Sequence, residues 1–101
     1  MQAFAHSLEA RFRDHLTIEQ YAVDVGISAA YLNALRRKLG GQSVLQMINE
    51  RLVLDAKRSL MYTTKTINQI SDSLGFSEPA YFSRLFKRCT GSPPKNFRLR
   101  R

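Results

Sequence analysis

Several residue types that define other protein classes are scarce in this sequence. Its 101 residues include one cysteine, no tryptophan, three prolines and five glycines. A single cysteine excludes an internal disulfide and a cysteine-based zinc cluster, and the absence of Gly/Ser-rich or Pro-rich runs excludes a disordered tail. Apolar runs are too short for a transmembrane span or for the apolar segment of a signal peptide. These absences predict a cytoplasmic protein.

Acidic residues are also few. The chain has 16 Lys and Arg against 8 Asp and Glu, a formal net charge of +8 and a pI near 10.3. This balance predicts an anionic partner. The length is that of one domain, and the 44% of apolar residues are enough for a packed core.

Catalytic and metal-binding patterns are missing as well. The sequence has no Ser/His/Asp order, no paired carboxylates and no phosphate-cradling Gly loop, so we predict neither an enzyme nor a cofactor. His6 and His15 have no carboxylate or cysteine at ligand spacing, and no metal site is expected. Cys89 falls in an apolar row and is predicted to be a small core side chain.

Apolar residues recur at helical spacing throughout, and no stretch alternates as a strand does, so the fold is predicted to be all-α with about seven helices. Phe4, Leu8 and Phe12 mark one face of an opening helix, and Ser/Thr-x-x-Gln capping boxes at Thr17, Ser43 and Thr66 start three more. Within a single domain, 1–101, we predict a first helix-turn-helix at 16–41, a linker helix at 43–62, a second helix-turn-helix at 66–91 and a short C-terminal helix at 93–99. The linker helix is predicted to bury Leu45, Ile48, Leu52, Ala56 and Leu60.

The two predicted helix-turn-helix segments form an internal repeat. A shift of 49 residues maps Thr17 onto Thr66 and Gly26 onto Gly75, and after one inserted residue a shift of 50 maps 30–41 onto 80–91. One Gly-linked helix pair can equally be a structural corner, but two copies on a basic chain predict DNA binding.

With these residues the sequence resembles the DNA-binding domain of the AraC/XylS transcription regulators. The resemblance covers Leu16 to Arg98 and is most specific over 70–98, at Gly75-Phe76, Tyr81 to Arg84, Phe86-Lys87, Gly91, Pro93 and Arg98. It implies a bacterial, nucleoid-associated regulator, commonly an activator acting near RNA polymerase. It further implies a linker helix that holds two recognition helices roughly 34 Å apart, in successive major grooves of double-stranded DNA. Most such regulators have a ligand-sensing or dimerising domain, which we expect to be absent from this chain; an excised C-terminal fragment and a small stand-alone regulator are both compatible with the sequence.

Six residues are predicted to read bases: Ala30, Asn33, Ala34, Glu78, Ser83 and Arg84. Arg84 is the best candidate, because its fork matches guanine O6 and N7. In the first unit Asn33 is the hydrogen-bonding reader, and the alanines offer methyl contacts to thymine. Glu78, expected at the first helical position, either accepts from a cytosine amine or serves the helix dipole.

Phosphate contacts are predicted at hydroxyls near helix starts and at basic side chains. The candidates are Thr17, Ser28, Arg37, Lys38, Lys65, Thr66, Ser77, Lys87, Arg88, Lys95 and Arg98. Tyr31 and Tyr81 are predicted to be packing residues. Arg36 stands where the family usually has Phe. It must snorkel or leave the seam thinner, or else it joins Arg37 and Lys38 in a solvated, phosphate-facing cluster.

Two other function classes fit the sequence. A basic helical protein-interaction module would show no salt-dependent binding to duplex DNA. An architectural DNA-bending protein would bind duplex DNA without regard to its bases.

Overall fold

The computed structural model describes residues 2–40 and 42–100, and within these ranges the chain is helical, without strands. Its helices are α1 (Gln2–Arg11), α2 (Ile18–Val25), α3 (Ala29–Gly40), α4 (Val44–Tyr62), α5 (Ile67–Ser73), α6 (Pro79–Thr90) and α7 (Pro94–Arg100), with a 3-10 turn at Phe12–Asp14. The predicted all-α fold is confirmed. Met1, Gly41 and Arg101, which bound predicted spans, lie outside the described residues.

In the described part of the chain no helix is both long enough and apolar enough to cross a membrane. The chain divides into two compact units, one up to Arg51 and the other from Leu52 onward. Helix α4 therefore gives its first residues to one unit and the rest to the other. Each unit contains one helix-turn-helix: α2 with α3 in the first unit, and α5 with α6 in the second.

The core of the first unit is built on α1. Phe4, Leu8 and Phe12 are buried, as their spacing of four predicts. The ring of Phe4 meets that of Tyr21 edge-on, with centroids 5.7 Å apart. The buried apolar residues of this unit are Phe4, Leu8, Phe12, Tyr21, Ala22, Leu32, Val44 and Ile48.

Two arginines fasten α1 to the rest of the first unit. Arg11 Nη1 donates to both carboxylate oxygens of Asp24, at 3.1 and 2.9 Å. Hydrogen bonds to Asp14 and to Asp24 raise the pKa of the Arg11 guanidinium. Arg51 donates through Nε and Nη2 to the two oxygens of Glu9, at 2.8 and 2.6 Å. Helix α1 is therefore held to α2 through Arg11 and to α4 through Arg51.

A row of aromatic rings runs through the second unit. Rings follow one another from Phe76 to Phe82, Phe86 and Phe97, with centroid distances of 5.6, 5.9 and 5.4 Å. Its buried apolar residues are Leu52, Val53, Ala56, Leu60, Ile70, Leu74, Phe82, Leu85 and Phe86.

Two predicted core positions are wrong. Leu45 is 56% exposed, and Val44 is buried in its place, because the buried row of α4 recurs every four residues from Val44 to Leu60. Cys89 is exposed. It lies in the last turn of α6, beyond Phe86, where the buried row of that helix ends.

Candidate nucleic-acid interface

The turn of the first helix-turn-helix follows the predicted chemistry. The N–H of Gln20 donates to Thr17 Oγ1 at 3.1 Å, and the N–H of Thr17 donates to Gln20 Oε1 at 2.8 Å, which completes the capping box. Gly26 ends α2 with φ of +82°, in the left-handed region that favours glycine. The N–H groups of Gly26 and Ile27 both donate to the carbonyl of Ala22, at 2.8 and 3.0 Å.

The second helix-turn-helix repeats this geometry 49 residues later. The capping box of Thr66 and Gln69 is complete, with bonds of 2.9 and 3.1 Å. Phe76 N–H donates to the carbonyl of Ser71 at 3.1 Å, as Ile27 does to Ala22. Helix α5 ends at Ser73, two residues before Gly75. Gly75 has a φ of +84°, close to that of the glycine of the first turn. The third box is also present, since Ser43 and Gln46 exchange bonds of 2.8 and 3.2 Å.

The inserted residue changes how the second recognition helix begins. In α3, Ser28 Oγ accepts from the N–H of Tyr31 at 3.1 Å. The N-cap of α6 is Glu78, whose side chain makes no capping bond, and Pro79 follows at the first helical position. Glu78 was predicted to be the first helical residue. In the structure it precedes the helix, which begins at Pro79. Ser77 lies one residue further back, exposed and outside the helix.

The outer faces of α3 and α6 match position by position at a shift of 50. The exposed residues of the α3 face are Ala30, Tyr31, Ala34, Arg37 and Lys38, and those of the α6 face are Ala80, Tyr81, Arg84, Lys87 and Arg88. The two tyrosines, predicted to be packing residues, are more exposed than that role requires, with Tyr31 58% exposed and Tyr81 48% exposed. Their place between exposed alanines and basic residues at helical spacing was a signal that the sequence already carried.

Arg84 lies over Tyr81 on the α6 face. Its guanidinium carbon is 5.3 Å from the ring centroid, within the range of a cation–π contact. Glu78 is exposed at the start of the same helix, whereas Ser83 is half-buried at its edge. Arg84 is the basic side chain of this face nearest the start of the helix.

Asn33, predicted to read a base, does not lie on the exposed face of α3. It is half-buried, and its Oδ1 accepts a 3.4 Å bond from the N–H of Val44, at the start of α4. That backbone N–H has no partner within its own helix, which is why a side-chain acceptor is favoured there. The prediction is corrected: Asn33 joins α3 to α4.

Arg98, predicted to contact phosphate, is committed to the backbone at the end of α4. Its guanidinium donates to the carbonyls of Leu60 at 3.1 Å, Lys65 at 2.6 Å, Ser59 at 3.4 Å and Thr63 at 3.3 Å. Ser59 and Leu60 lie in the last turn of α4, where carbonyls lack partners within the helix. A guanidinium with four carbonyl acceptors is not free to bind a phosphate, so Arg98 leaves the predicted set.

Arg36 is less exposed than a place in the solvated cluster predicts. It is half-buried, and in the described part of the chain its buried Nε has no hydrogen-bond partner. Its neighbours Arg37 and Lys38 are exposed. The residue at the same position of the second unit, Phe86, is completely buried. An arginine with a partly buried side chain thus stands where the second unit buries a phenylalanine.

The other predicted phosphate contacts lie at the surface. Thr17, Ser28, Arg37, Lys38, Lys65, Thr66, Ser77, Lys87, Arg88 and Lys95 are all exposed. Thr17, Ser28 and Thr66 use their oxygens as cap acceptors, which leaves each hydroxyl hydrogen for another partner. Among the residues described, no His, Cys, Asp and Glu side chains gather into a metal-binding group.

Comparison with known proteins agrees with this geometry. A helix-turn-helix domain family matches residues 21–100. The chain is 37% identical over 84 residues to the arabinose operon regulatory protein of Salmonella typhimurium (strain LT2), an alignment that covers 83% of the chain and 30% of that protein. The chain spans about a third of the length of the curated relatives it matches.

Two solved structures resemble the fold. The C-terminal domain of the two-component response regulator yesN from Fusobacterium nucleatum has a TM-score of 0.89 at 21% identity, and the match covers 96% of the chain and 95% of that domain. The DNA-binding domain of AdpA, a global transcriptional factor solved in complex with a target DNA, has a TM-score of 0.86 at 26% identity, with 97% and 87% covered.

Proposed function

Because the chain belongs to the AraC/XylS family of transcription regulators, whose helix-turn-helix domains bind DNA, we propose that it recognises a specific double-stranded site with α3 and α6 in successive major grooves. The family is one of DNA-binding domains and not of enzymes. In this proposal the first helix-turn-helix, 16–41, and the second, 66–91, each read one part of the site, and the linker helix connects them.

The observation that supports this proposal is the match between the two outer faces. In both units the helix after the Gly turn exposes a tyrosine in its first turns and two adjacent basic residues further along, Arg37-Lys38 in α3 and Lys87-Arg88 in α6. A helix in the major groove needs early residues that touch base edges and later ones that reach the phosphate backbone. Both faces meet that requirement without an acidic side chain among them.

Arg84 is the proposed direct reader of the second unit. Its fork pairs with O6 and N7 of guanine, a contact worth about 1 to 3 kcal/mol of discrimination against another base. Glu78 lies at the start of the same helix, in reach of a cytosine amine in the same groove. Ser83 lies at the edge of this face. Ala30 and Ala34 are the residues that the first unit brings to the bases.

The exposed hydroxyl and basic residues supply affinity that does not depend on sequence. Phosphate contacts are proposed for Thr17, Ser28, Arg37, Lys38, Lys65, Thr66, Ser77, Lys87, Arg88 and Lys95. Each neutralised phosphate releases counterions, which makes the affinity fall steeply with salt.

The proposal extends to transcription. A relative that matches over most of this chain is named as the regulatory protein of an operon, and we propose that this chain acts at promoters on the nucleoid, in the cytoplasm, where it activates transcription by contacting RNA polymerase. Effector sensing would belong to a domain other than this one.

Selection from random duplex pools at two salt concentrations tests the proposal. We expect a motif about 15 to 20 base pairs long, since two major-groove helices one turn apart span that length, and a log–log salt slope near −5, the value for about six phosphates. Arg84→Ala should relax one cluster of that motif. Arg58→Ala is the matched control, because Arg58 is exposed on α4, outside both faces.

The alternatives give different results. Steep salt dependence without a motif would mean an architectural DNA-binding protein. No salt-dependent duplex binding would refute DNA binding and leave the protein-interaction module.

A further inference from the structure

The outer face of α3 carries a shallow pocket of about 180 Å³, lined by Tyr31, Ala34, Leu35 and Lys38. These residues follow one another at helical spacing along a single face. The side chain of Ala34 ends at Cβ, so the surface dips between the longer side chains of Tyr31 and Lys38. Leu35, Ala34 and the Tyr31 ring give the pocket an apolar lining.

The equivalent position of α6 carries a cation. At a shift of 50 the same four positions are Tyr81, Arg84, Leu85 and Arg88. Arg84 replaces Ala34, and its guanidinium lies over the Tyr81 ring at 5.3 Å. Two faces with the same neighbouring residue types thus differ at one central position, where one offers an apolar concavity and the other a charged donor.

These two surfaces suit different base edges. In the major groove guanine presents two acceptors, which suits a guanidinium, whereas thymine presents one acceptor and an apolar methyl group at C5. The centre of the α3 pocket has no hydrogen-bonding side chain, because Ala34 stands there, and the Oδ1 of Asn33 accepts a bond from the N–H of Val44 at the start of α4. A methyl group is the feature that such a surface can distinguish.

We propose that α3 recognises the C5 methyl group of pyrimidines, which in unmodified DNA means thymine, by receiving it in the pocket formed by Tyr31, Ala34, Leu35 and Lys38. Ala30, one turn earlier on the same exposed face, leaves room for the base to approach. This inference rests on the proposed function, because it assigns a chemical preference to one of the two recognition helices.

Uracil substitution tests the inference on the selected site. Arg84→Ala marks the part of the motif that α6 reads, and the remaining part belongs to α3. Replacing thymine by deoxyuridine removes only the methyl group. In the α3 part we expect at least one position where this weakens binding about three- to five-fold, the effect of burying one methyl-sized group. Deoxyuridine in the α6 part is the matched DNA control and should change binding less than two-fold.

A methylated cytosine separates the methyl group from the rest of thymine. At the sensitive position, 5-methylcytosine should bind more tightly than cytosine by the same factor by which thymine exceeds uracil. If uracil and thymine differ but 5-methylcytosine and cytosine do not, the methyl group contributes only together with the O4 acceptor of thymine, and recognition of the methyl group by the pocket alone is overturned.

Filling the pocket supplies the protein side of the test. Ala34 is exposed, so Ala34→Arg alters the surface and leaves the core intact. This variant should abolish the difference between thymine and uracil in the α3 part. Ala5→Arg adds the same charge at an exposed position of α1 and should preserve the difference.

The outcomes for the inference and for the proposed function are distinct. Equal binding of uracil and thymine at every α3 position overturns the methyl pocket, while a motif that depends on Arg84 keeps the proposed function standing. Absence of salt-dependent duplex binding overturns both.

Discussion

The guanidinium carbon of Arg84 lies 5.3 Å from the ring centroid of Tyr81, three residues earlier on the same face of α6. Residues three apart on a helix are neighbours, so the ring can hold the long arginine side chain in one orientation before any base is met. An arginine that is already oriented loses less conformational freedom on binding. Tyr81 is accordingly a positioning residue for the proposed base reader.

Removal of the Tyr81 ring should weaken recognition through Arg84. An exposed cation–π contact is worth about 0.5 to 1 kcal/mol, so Tyr81→Leu is expected to lower affinity for the selected site about two- to five-fold. Tyr81→Phe keeps the ring and should keep the affinity. Titrations of labelled duplex with the single variants and with Arg84→Ala double variants measure this. If the loss from Tyr81→Leu is undiminished in the Arg84→Ala background, Tyr81 acts independently of Arg84.

Arg98→Lys should destabilise the second unit while leaving its charge unchanged. A lysine ammonium lacks the planar fork that reaches four carbonyls, three of whose bonds to Arg98 are part-buried, and a part-buried acceptor that loses its partner costs about 1 to 3 kcal/mol. We expect the free energy of unfolding in urea to fall by about 2 kcal/mol. The salt slope of DNA binding should stay the same.

Lys95→Ala is the opposite control, since Lys95 is exposed at the start of α7. Its stability should change by less than about 0.5 kcal/mol, and its salt slope should become shallower by about 0.9 if it contacts one phosphate. If the Arg98→Lys protein is as stable as the parent and its DNA binding has a shallower salt slope, Arg98 contacts a phosphate after all.

Arg36→Met should stabilise the first unit. The Nε atom of Arg36 is buried without a partner in the described part of the chain, and a buried polar group in that condition costs about 1 to 3 kcal/mol. Methionine keeps the unbranched shape and fills irregular gaps. We expect a gain of about 1 kcal/mol in unfolding free energy, measured in urea. Arg37→Met, at an exposed position, is the comparison; equal effects at both positions would contradict the role of burial.

Tyr21 should contribute to alkaline unfolding. Burial raises the pKa of its phenol above the usual 10.0, and the charge of Asp14 raises it further. Above pH 10 the unfolded chain releases this proton while the folded chain retains it, so stability falls as pH rises, by at most about 1.4 kcal/mol per pH unit for one proton.

Tyr21→Phe removes this contribution and should flatten the decline of urea stability above pH 10. It also removes a buried hydroxyl that has no hydrogen-bond partner among the described residues, so stability at pH 7 should not fall. Tyr62 is 77% exposed, and the urea stability of Tyr62→Phe should decline above pH 10 as that of the parent protein does. An unchanged alkaline decline in Tyr21→Phe would assign the effect to other groups.

Local patterns predicted the helices and most of their starts because the interactions that fix them are local. The three capping boxes join residues three apart, and each is visible in the order of the residues alone. The repeat and the two glycine turns were predictable for the same reason. The basic outer faces of α3 and α6 likewise follow from helical spacing and charge.

Contacts between residues far apart in the chain could not be predicted from the sequence. Asn33 and Val44 are 11 residues apart, Arg98 and Leu60 are 38 apart, and Arg51 and Glu9 are 42 apart. A polar or basic side chain has many potential partners at such separations, and residue type alone favoured DNA for Asn33 and Arg98. In the folded chain Asn33 binds a backbone group at the start of α4, and Arg98 binds backbone groups at its end.

The attachment of α1 sets where this domain can be cut. The helix-turn-helix pattern begins at Leu16, but Phe4, Leu8 and Phe12 belong to the same core as Tyr21, and Glu9 holds Arg51 of α4. A hybrid regulator that takes its first helix-turn-helix from this chain must therefore include α1 as well. A graft that begins at Leu16 would lack the core residues Phe4, Leu8 and Phe12, which pack beneath the first helix-turn-helix.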